Sequence, residues 1–166
     1  MYSERPQIYI EKTVLEKLAN SIGVASIMGM ILYIALGWSA LPENIPIHFN
    51  AAGEVDGWGS NWSVIILPFV TIALHIFMEL IERKPHIHNY PERLTEQKAA
   101  QFYKESCQTL NLTKNVTTMM FAYIAIRSVL VALEKVHGLG AVIMGIFLLI
   151  LVFVIIRGMI RISKIK

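Results

Sequence analysis

Cysteine occurs once in this chain of 166 residues, at Cys107, so no intrachain disulfide scaffold is available to it. Charge is scarce too. Asp, Glu, Lys and Arg together make up 16% of the residues, against roughly 25% in an ordinary soluble domain. No low-complexity tract is present, which removes the disordered and collagen-like classes. Basic residues are missing from the whole stretch 42–62. Gly-rich phosphate loops, nucleophile elbows, Cys-x-x-Cys pairs and aromatic-basic nucleic-acid surfaces are all lacking. The expectation is a protein that is not an enzyme, binds no nucleic acid and carries no cofactor other than, at most, a metal ion.

Apolar residues fill the space left by these absences. They reach 55% of the chain, and the mean hydropathy is +0.54. A soluble fold of this size has too little interior for so much apolar surface. A helix crossing hydrocarbon needs about 20 mostly apolar residues, and four stretches qualify: 22–41, 64–81, 116–133 and 139–156. The runs lack the strict alternation of a barrel, and lipid offers no partner to open backbone groups. The sequence therefore predicts an all-α integral membrane protein, a bundle of four transmembrane helices with a structured extracellular loop between helices 1 and 2.

Lys and Arg set the orientation. Arg5, Lys12 and Lys17 precede the first span, and Arg83, Lys84, Arg93, Lys98, Lys104 and Lys114 lie between the second and third. Arg157, Arg161, Lys164 and Lys166 follow the fourth. The remaining connections carry only Lys135, and Arg127 lies inside a span. This bias predicts a multi-pass protein of the bacterial plasma membrane with the N- and C-termini cytoplasmic. The organisation is then a cytoplasmic N-terminal segment (1–21), a membrane domain (22–156) and a basic tail (157–166). Within the domain, the outer loop is 42–63 and the cytoplasmic loop 82–115. Trp38, Trp58 and Trp62 all fall at the outer boundary, where indole is favoured.

Two flanking segments have helical signals. Thr13 and Glu16 fit a capping box, predicting a short interfacial helix over 13–20 that leads into the first span. In the cytoplasmic loop, Pro85 and Pro91 keep the chain extended, and Thr95 is placed to cap a helix with Glu96 in its first turn. Ala99, Phe102, Tyr103, Ser106, Cys107 and Leu110 form one face from there, so the third helix is expected to start near Glu96.

The outer loop, LPENIPIHFNAAGEVDGWGSNWS, is the densest polar sequence in the chain. It offers His48, Asn50, Glu54 and Asp56 as ligand-binding residues, with His48 and Asp56 as metal candidates because imidazole and carboxylate suit a cation. The spacing matches no zinc or calcium motif, so a structured cap with solvated acids stands beside the ligand site as a reading. Inside the membrane, His75 and Glu79 share a helix face. Glu79 is expected to pair with Arg83 or Lys114, and His75 to bond to a neighbouring helix. Arg127 keeps its charge and lies about 9 Å below the outer end of its helix at 1.5 Å per residue. Its expected partner is Asp56 or Glu54. The His86-x-His88 pair at the cytoplasmic mouth is a weak metal signal.

The outer loop closely resembles the signature of a bacterial membrane family, domain of unknown function sixteen-forty-eight. That signature runs Leu-Pro, then Ile-Pro-x-His-Phe-Asn, then Gly-x-x-Asp-Gly-Trp-Gly. Here these are Leu41-Pro42, Ile45-Pro46-Ile47-His48-Phe49-Asn50 and Gly53-Glu54-Val55-Asp56-Gly57-Trp58-Gly59. A lysine commonly follows the last glycine by two, where this chain has Asn61. The stretch KPHIHNYPERLTEQ is similar to the cytoplasmic loop of four-span members, so the likeness covers roughly residues 5 to 135. The resemblance implies kinship with SdpI-type immunity proteins, which protect a producing cell from its secreted peptide toxin and hold a transcriptional repressor at the membrane. It carries no catalytic residues. On this reading the outer loop receives an extracellular peptide or ion, and a cytoplasmic protein partner meets the inner face. The alternative is an intramembrane metal-dependent hydrolase or ion-handling protein using His75, Glu79 and the loop histidines.

The charge bias makes a direct prediction about sidedness. Cysteine introduced at Ala51 should react with an impermeant maleimide in intact cells, and native Cys107 should not. The reverse labelling would invert every assignment of inside and outside.

Overall fold

In a computed structural model, residues 5–165 are described; Lys166 of the basic tail and residues 1–4 of the N-terminal segment lie outside them. Four helices are long and apolar enough to cross a membrane: α1 (Val14–Gly37), α2 (Ile66–Glu82), α3 (Ala99–Ala132) and α4 (Ala141–Ser163). Between α1 and α2 lies a two-stranded antiparallel hairpin, β1 (Asn44–Phe49) and β2 (Val55–Ser60). The hairpin meets the α3–α4 connection at one end of the bundle. The N-terminal segment, the α2–α3 connection and the end of α4 meet at the other. These are called here the hairpin end and the basic end.

The Thr13 hydroxyl accepts from the Glu16 amide, and Glu16 Oε2 accepts from the Thr13 amide at 2.8 Å, completing the capping box. The helix that starts there runs unbroken to Gly37. The short helix expected over 13–20 is thus the opening of α1, because nothing in the sequence interrupts the 3.6-residue path into the span. α3 begins after a 3-10 turn at Glu96–Lys98. Thr95 makes no side-chain cap bond there, so its expected capping role is corrected: the 3-10 turn consumes the position it would have capped. Most of the stretch assigned to the cytoplasmic loop is therefore helix, and α4 likewise carries the tail as far as Ser163.

α3 is the hub. Its 34 residues span about 50 Å at 1.5 Å per residue, well beyond the roughly 30 Å of hydrocarbon. It packs against α1, α2 and α4, whereas α4 rests chiefly on α3. The hairpin half of its buried face is made of small residues, Ala122, Ala125, Val129 and Ala132, which let Met30 and Ile34 of α1 approach closely. Ile45 of β1 and Val64 close this cluster from the hairpin side. A second apolar cluster at the basic end gathers Tyr90, Ala99, Phe102 and Tyr103, with Ile8, Ile10 and Ile162 packed on it. The outward faces of α1, α2 and α4 carry exposed Leu, Ile, Val and Phe, a surface suited to lipid.

Candidate functional site

The outer-loop residues build the hairpin. Asn50 Oδ1 accepts the amides of Ala52 at 2.9 Å and Glu54 at 3.0 Å, an Asx turn that reverses the chain. Gly53 completes it at φ +81°, a conformation that disfavours a Cβ. Asn50 Nδ2 donates to Glu54 Oε2 at 3.1 Å. His48 and Asp56 face one another across the strands, with Nδ1 and Oδ1 2.5 Å apart. A Cβ at Gly57 would stand 2.8 Å from the Cβ of His48, so only glycine fits opposite that histidine. An exposed ion pair of this kind is worth at most about 1 kcal/mol. Turn and register therefore hold the hairpin more than the His48–Asp56 pair does.

Arg127 is the principal correction. Its Nε and Nη2 donate to the carbonyl oxygen of Gly138, at 3.1 and 2.6 Å, rather than to Asp56 or Glu54. The α3–α4 connection ends in a chain reversal with Gly138 at φ +65° and Gly140 at φ +75°, which turns that carbonyl toward α3. A snorkelling guanidinium reaches it before it reaches the loop acids. Leu139 then donates its amide to the Gly53 carbonyl at 2.8 Å. Tyr123 adds a bond to the Leu139 carbonyl, also at 2.8 Å. Arg127 thus fixes the hairpin through backbone, across Gly138, Leu139 and Gly53. Between the hairpin tip and this connection lies an open groove of about 690 Å³, lined in part by Glu54, Trp58, Glu134 and His137.

The other intramembrane polar residues converge on the basic half. His75, Glu79 and Glu82 share one face of α2; Asn111, Lys114, Asn115 and Thr118 share the facing stripe of α3. Lys114, 1% exposed, donates to Glu79 Oε2 at 2.5 Å and Glu82 Oε2 at 2.7 Å. Lys12 reaches in from the N-terminal segment, 3.0 Å from Glu79 and 2.9 Å from Glu82. Arg83 adds a third base to Glu79 at 3.0 Å. Asn111 donates to Glu82 and to Asn20 of α1, and Asn115 also bonds Asn20. His75 Nδ1 lies 2.9 Å from Thr118 Oγ1. That hydroxyl already donates to the Lys114 carbonyl, so His75 is the donor in this bond. Beside the network is a cavity of about 500 Å³ lined in part by Lys12, Glu16, Glu79 and Glu82.

The sequence reading missed Glu82, Asn111, Asn115, Asn20 and Lys12 as members of this network. The stripe at 111, 114, 115 and 118 was the available signal, since its spacing puts four polar side chains on one face of a long helix. His86 and His88, in the α2–α3 connection, do not form a metal pair. His88 Nε2 donates to the Ile81 carbonyl at 2.9 Å, and its Nδ1 faces Ser106 Oγ at 2.8 Å. Arg5 donates to the backbone carbonyls of His88 and His86. Among the described residues, no three His, Cys, Asp or Glu are grouped so as to hold a metal ion.

With this geometry in view, the relatives can be stated. Residues 25–72, from the middle of α1 through the hairpin into α2, match the family described as Domain of unknown function (DUF1648). An uncharacterized protein of Archaeoglobus fulgidus is 38% identical to this chain over 68 residues. That match takes in 36% of this chain and 37% of the archaeal protein. No solved structure matches. The family match falls on the hairpin and the two helices that carry it, and leaves the inner network largely outside.

Burial opposes the charge on Lys12, but its bonds to Glu82 and Glu79 outweigh this and raise its pKa above the ordinary 10.5. A raised folded pKa contributes stability that is complete below 10.5 and lost as pH rises through the folded value. Thermal unfolding in detergent between pH 9 and 11.5 should therefore show an alkaline loss that Lys12→Met reduces. Lys114→Met should cost less than the roughly 3–5 kcal/mol of a fully stranded buried pair, because Lys12 and Arg83 still face the two carboxylates. Separately, Arg127→Met should make the hairpin more sensitive to added protease, and Asp56→Asn should have a smaller effect. Since the two residues do not touch, the double variant should show their sum, and strong non-additivity would contradict the Gly138 contact.

Proposed function

We propose that this is a non-enzymatic protein of a prokaryotic plasma membrane, of the SdpI-like immunity or signal-receptor kind, oriented with the hairpin outside. Its hairpin end receives an extracellular cationic peptide. The observation that carries this reading is the groove between the hairpin tip and the α3–α4 connection. Rigid backbone on both sides, pinned through Arg127 and Leu139, gives a preorganised surface, which lowers the ordering cost of binding. Glu54 and Glu134 line the groove, and Glu43 and Asp56 add negative charge at the same end, against Lys135 alone in the connection. Trp58, 60% exposed, supplies an aromatic anchor beside those acids. A positively charged amphipathic peptide, already concentrated at the membrane surface, suits acids, an indole and proximity to lipid together. The basic end is where a soluble partner would be engaged.

The test uses the full chain in lipid nanodiscs with a fluorescent amphipathic peptide of lysine and leucine. Wild-type discs should bind it more tightly than empty discs do, and an acidic peptide of the same pattern should not bind. The variant E54Q/E134Q should weaken the affinity roughly tenfold. In cells, expression should protect a sensitive host against one member of a panel of secreted antimicrobial peptides, and the same variant should lose the protection. Equal binding to empty and loaded discs would sink the proposal.

A further inference from the structure

The crossing of α3 and α4 at the basic end supports an inference independent of the peptide groove. The helices touch where Thr109 lies on Gly158, so closely that an added Cβ would collide with the threonine hydroxyl. Beyond this contact they leave a groove of about 600 Å³ lined by Gln101, Lys104, Glu105, Arg161, Lys164 and Ile165. Arg161 Nη1 is held 3.3 Å from Glu105 Oε1. One turn earlier, Arg157 donates to Gln108 Oε1 at 3.2 Å. Among the described residues, the groove and its rim thus hold Lys104, Arg157, Arg161 and Lys164 against the carboxylate of Glu105. That carboxylate has a buried oxygen, Oε2, with no partner among the described residues.

The depth of the groove identifies its occupant. Ile155, Ile156, Met159 and Ile160 are all exposed on α4 immediately before Arg161. The groove therefore opens where the lipid-facing band gives way to charge, at the level of phospholipid headgroups. We infer that it binds the headgroup of phosphatidylglycerol. Lys104, Arg161 and Lys164 receive the phosphate, with Arg161 oriented by Glu105. Arginine suits phosphate through its planar pair of donors, and lysine as a mobile point charge. The surplus of positive charge in the groove favours an anionic headgroup, as phosphatidylglycerol carries, over a zwitterionic one. Basic pockets between transmembrane helices at this depth are where anionic headgroups are recognised.

The full chain is compared in nanodiscs of phosphatidylcholine alone and of phosphatidylcholine with added phosphatidylglycerol. Each variant is measured against itself in the two lipids, so a change in its basal stability cancels. Phosphatidylglycerol should raise the wild-type unfolding midpoint by roughly 3–6 °C. K104Q/R161Q/K164Q should lose most of that rise, and K104R/K164R should keep it. The control K17Q/K84Q/K98Q removes three charges from the same end without touching the groove and should also keep it. An equal rise in K104Q/R161Q/K164Q would overturn the inference. So would an equal loss in the control, which would mean a diffuse surface potential. The same rise produced by inorganic phosphate in phosphatidylcholine discs would overturn the lipid assignment.

Discussion

The polar network at the basic half of this molecule turns on the need to compensate one buried ammonium. Lys114 is 1% exposed in a helix that must cross hydrocarbon, where an uncompensated charge is among the costliest groups a helix can carry. Two carboxylates from α2 answer it, and they in turn need a second cation because two acids side by side, one of them buried, repel. Lys12 supplies that cation from outside the span. The consequence is geometric. α2 must sit with 79 and 82 toward α3, and the N-terminal segment must cross the end of the bundle. α1 is drawn in through Asn20, which accepts from both asparagines of the α3 stripe. Such networks rarely add stability over an apolar core of equal volume. In a bundle with mostly greasy helices, where many rotations of α2 bury comparable apolar area, the charges select one.

The hairpin half solves a different problem with different residues. There α3 offers a stripe of alanines and Val129, and the approach of α1 is set by the fit of Met30 and Ile34 against it. Apolar packing closes this half, and the polar network stops below it at His75 and Thr118. The one charged residue of α3 in this half, Arg127, donates to a backbone carbonyl in the α3–α4 connection. A carbonyl partner makes the arginine indifferent to which acids the loop carries, and it stiffens the connection that grips the hairpin through Leu139.

Hydropathy was enough to read the four helices, because a run of about 20 apolar residues has one stable conformation in lipid. The capping box at Thr13 and Glu16 was equally plain. The hairpin was not, since Pro46 and the glycines of β2 break the alternation by which strands are recognised, and the register slips on both sides of His48. Arg127 shows a limit of another sort. Its depth was legible, but depth specifies only a level, and every carbonyl at that level competes with the acids that charge alone would favour. Glu82 was missed because the end of α2 was placed one residue short of it. That single residue decides whether Lys114 has one carboxylate or two.

The signature that brought the family resemblance proves to be a folding motif for the hairpin. Asn50 and Gly53 make its turn, Gly57 clears space for His48, and Ile45 plugs the bundle beneath. The positions the signature leaves open are Ile47, Glu54 and Val55. Ile47 is exposed on the hairpin, and Glu54 and Val55 line the groove with the α3–α4 connection, a segment outside the matched region 25–72. The groove is therefore bordered by Glu54, Val55 and residues of the 134–138 connection, whereas His48 and Asp56 face each other across the strands. That pair bridges the strands, while the Asn50 turn and the glycine opposite His48 hold the frame in register.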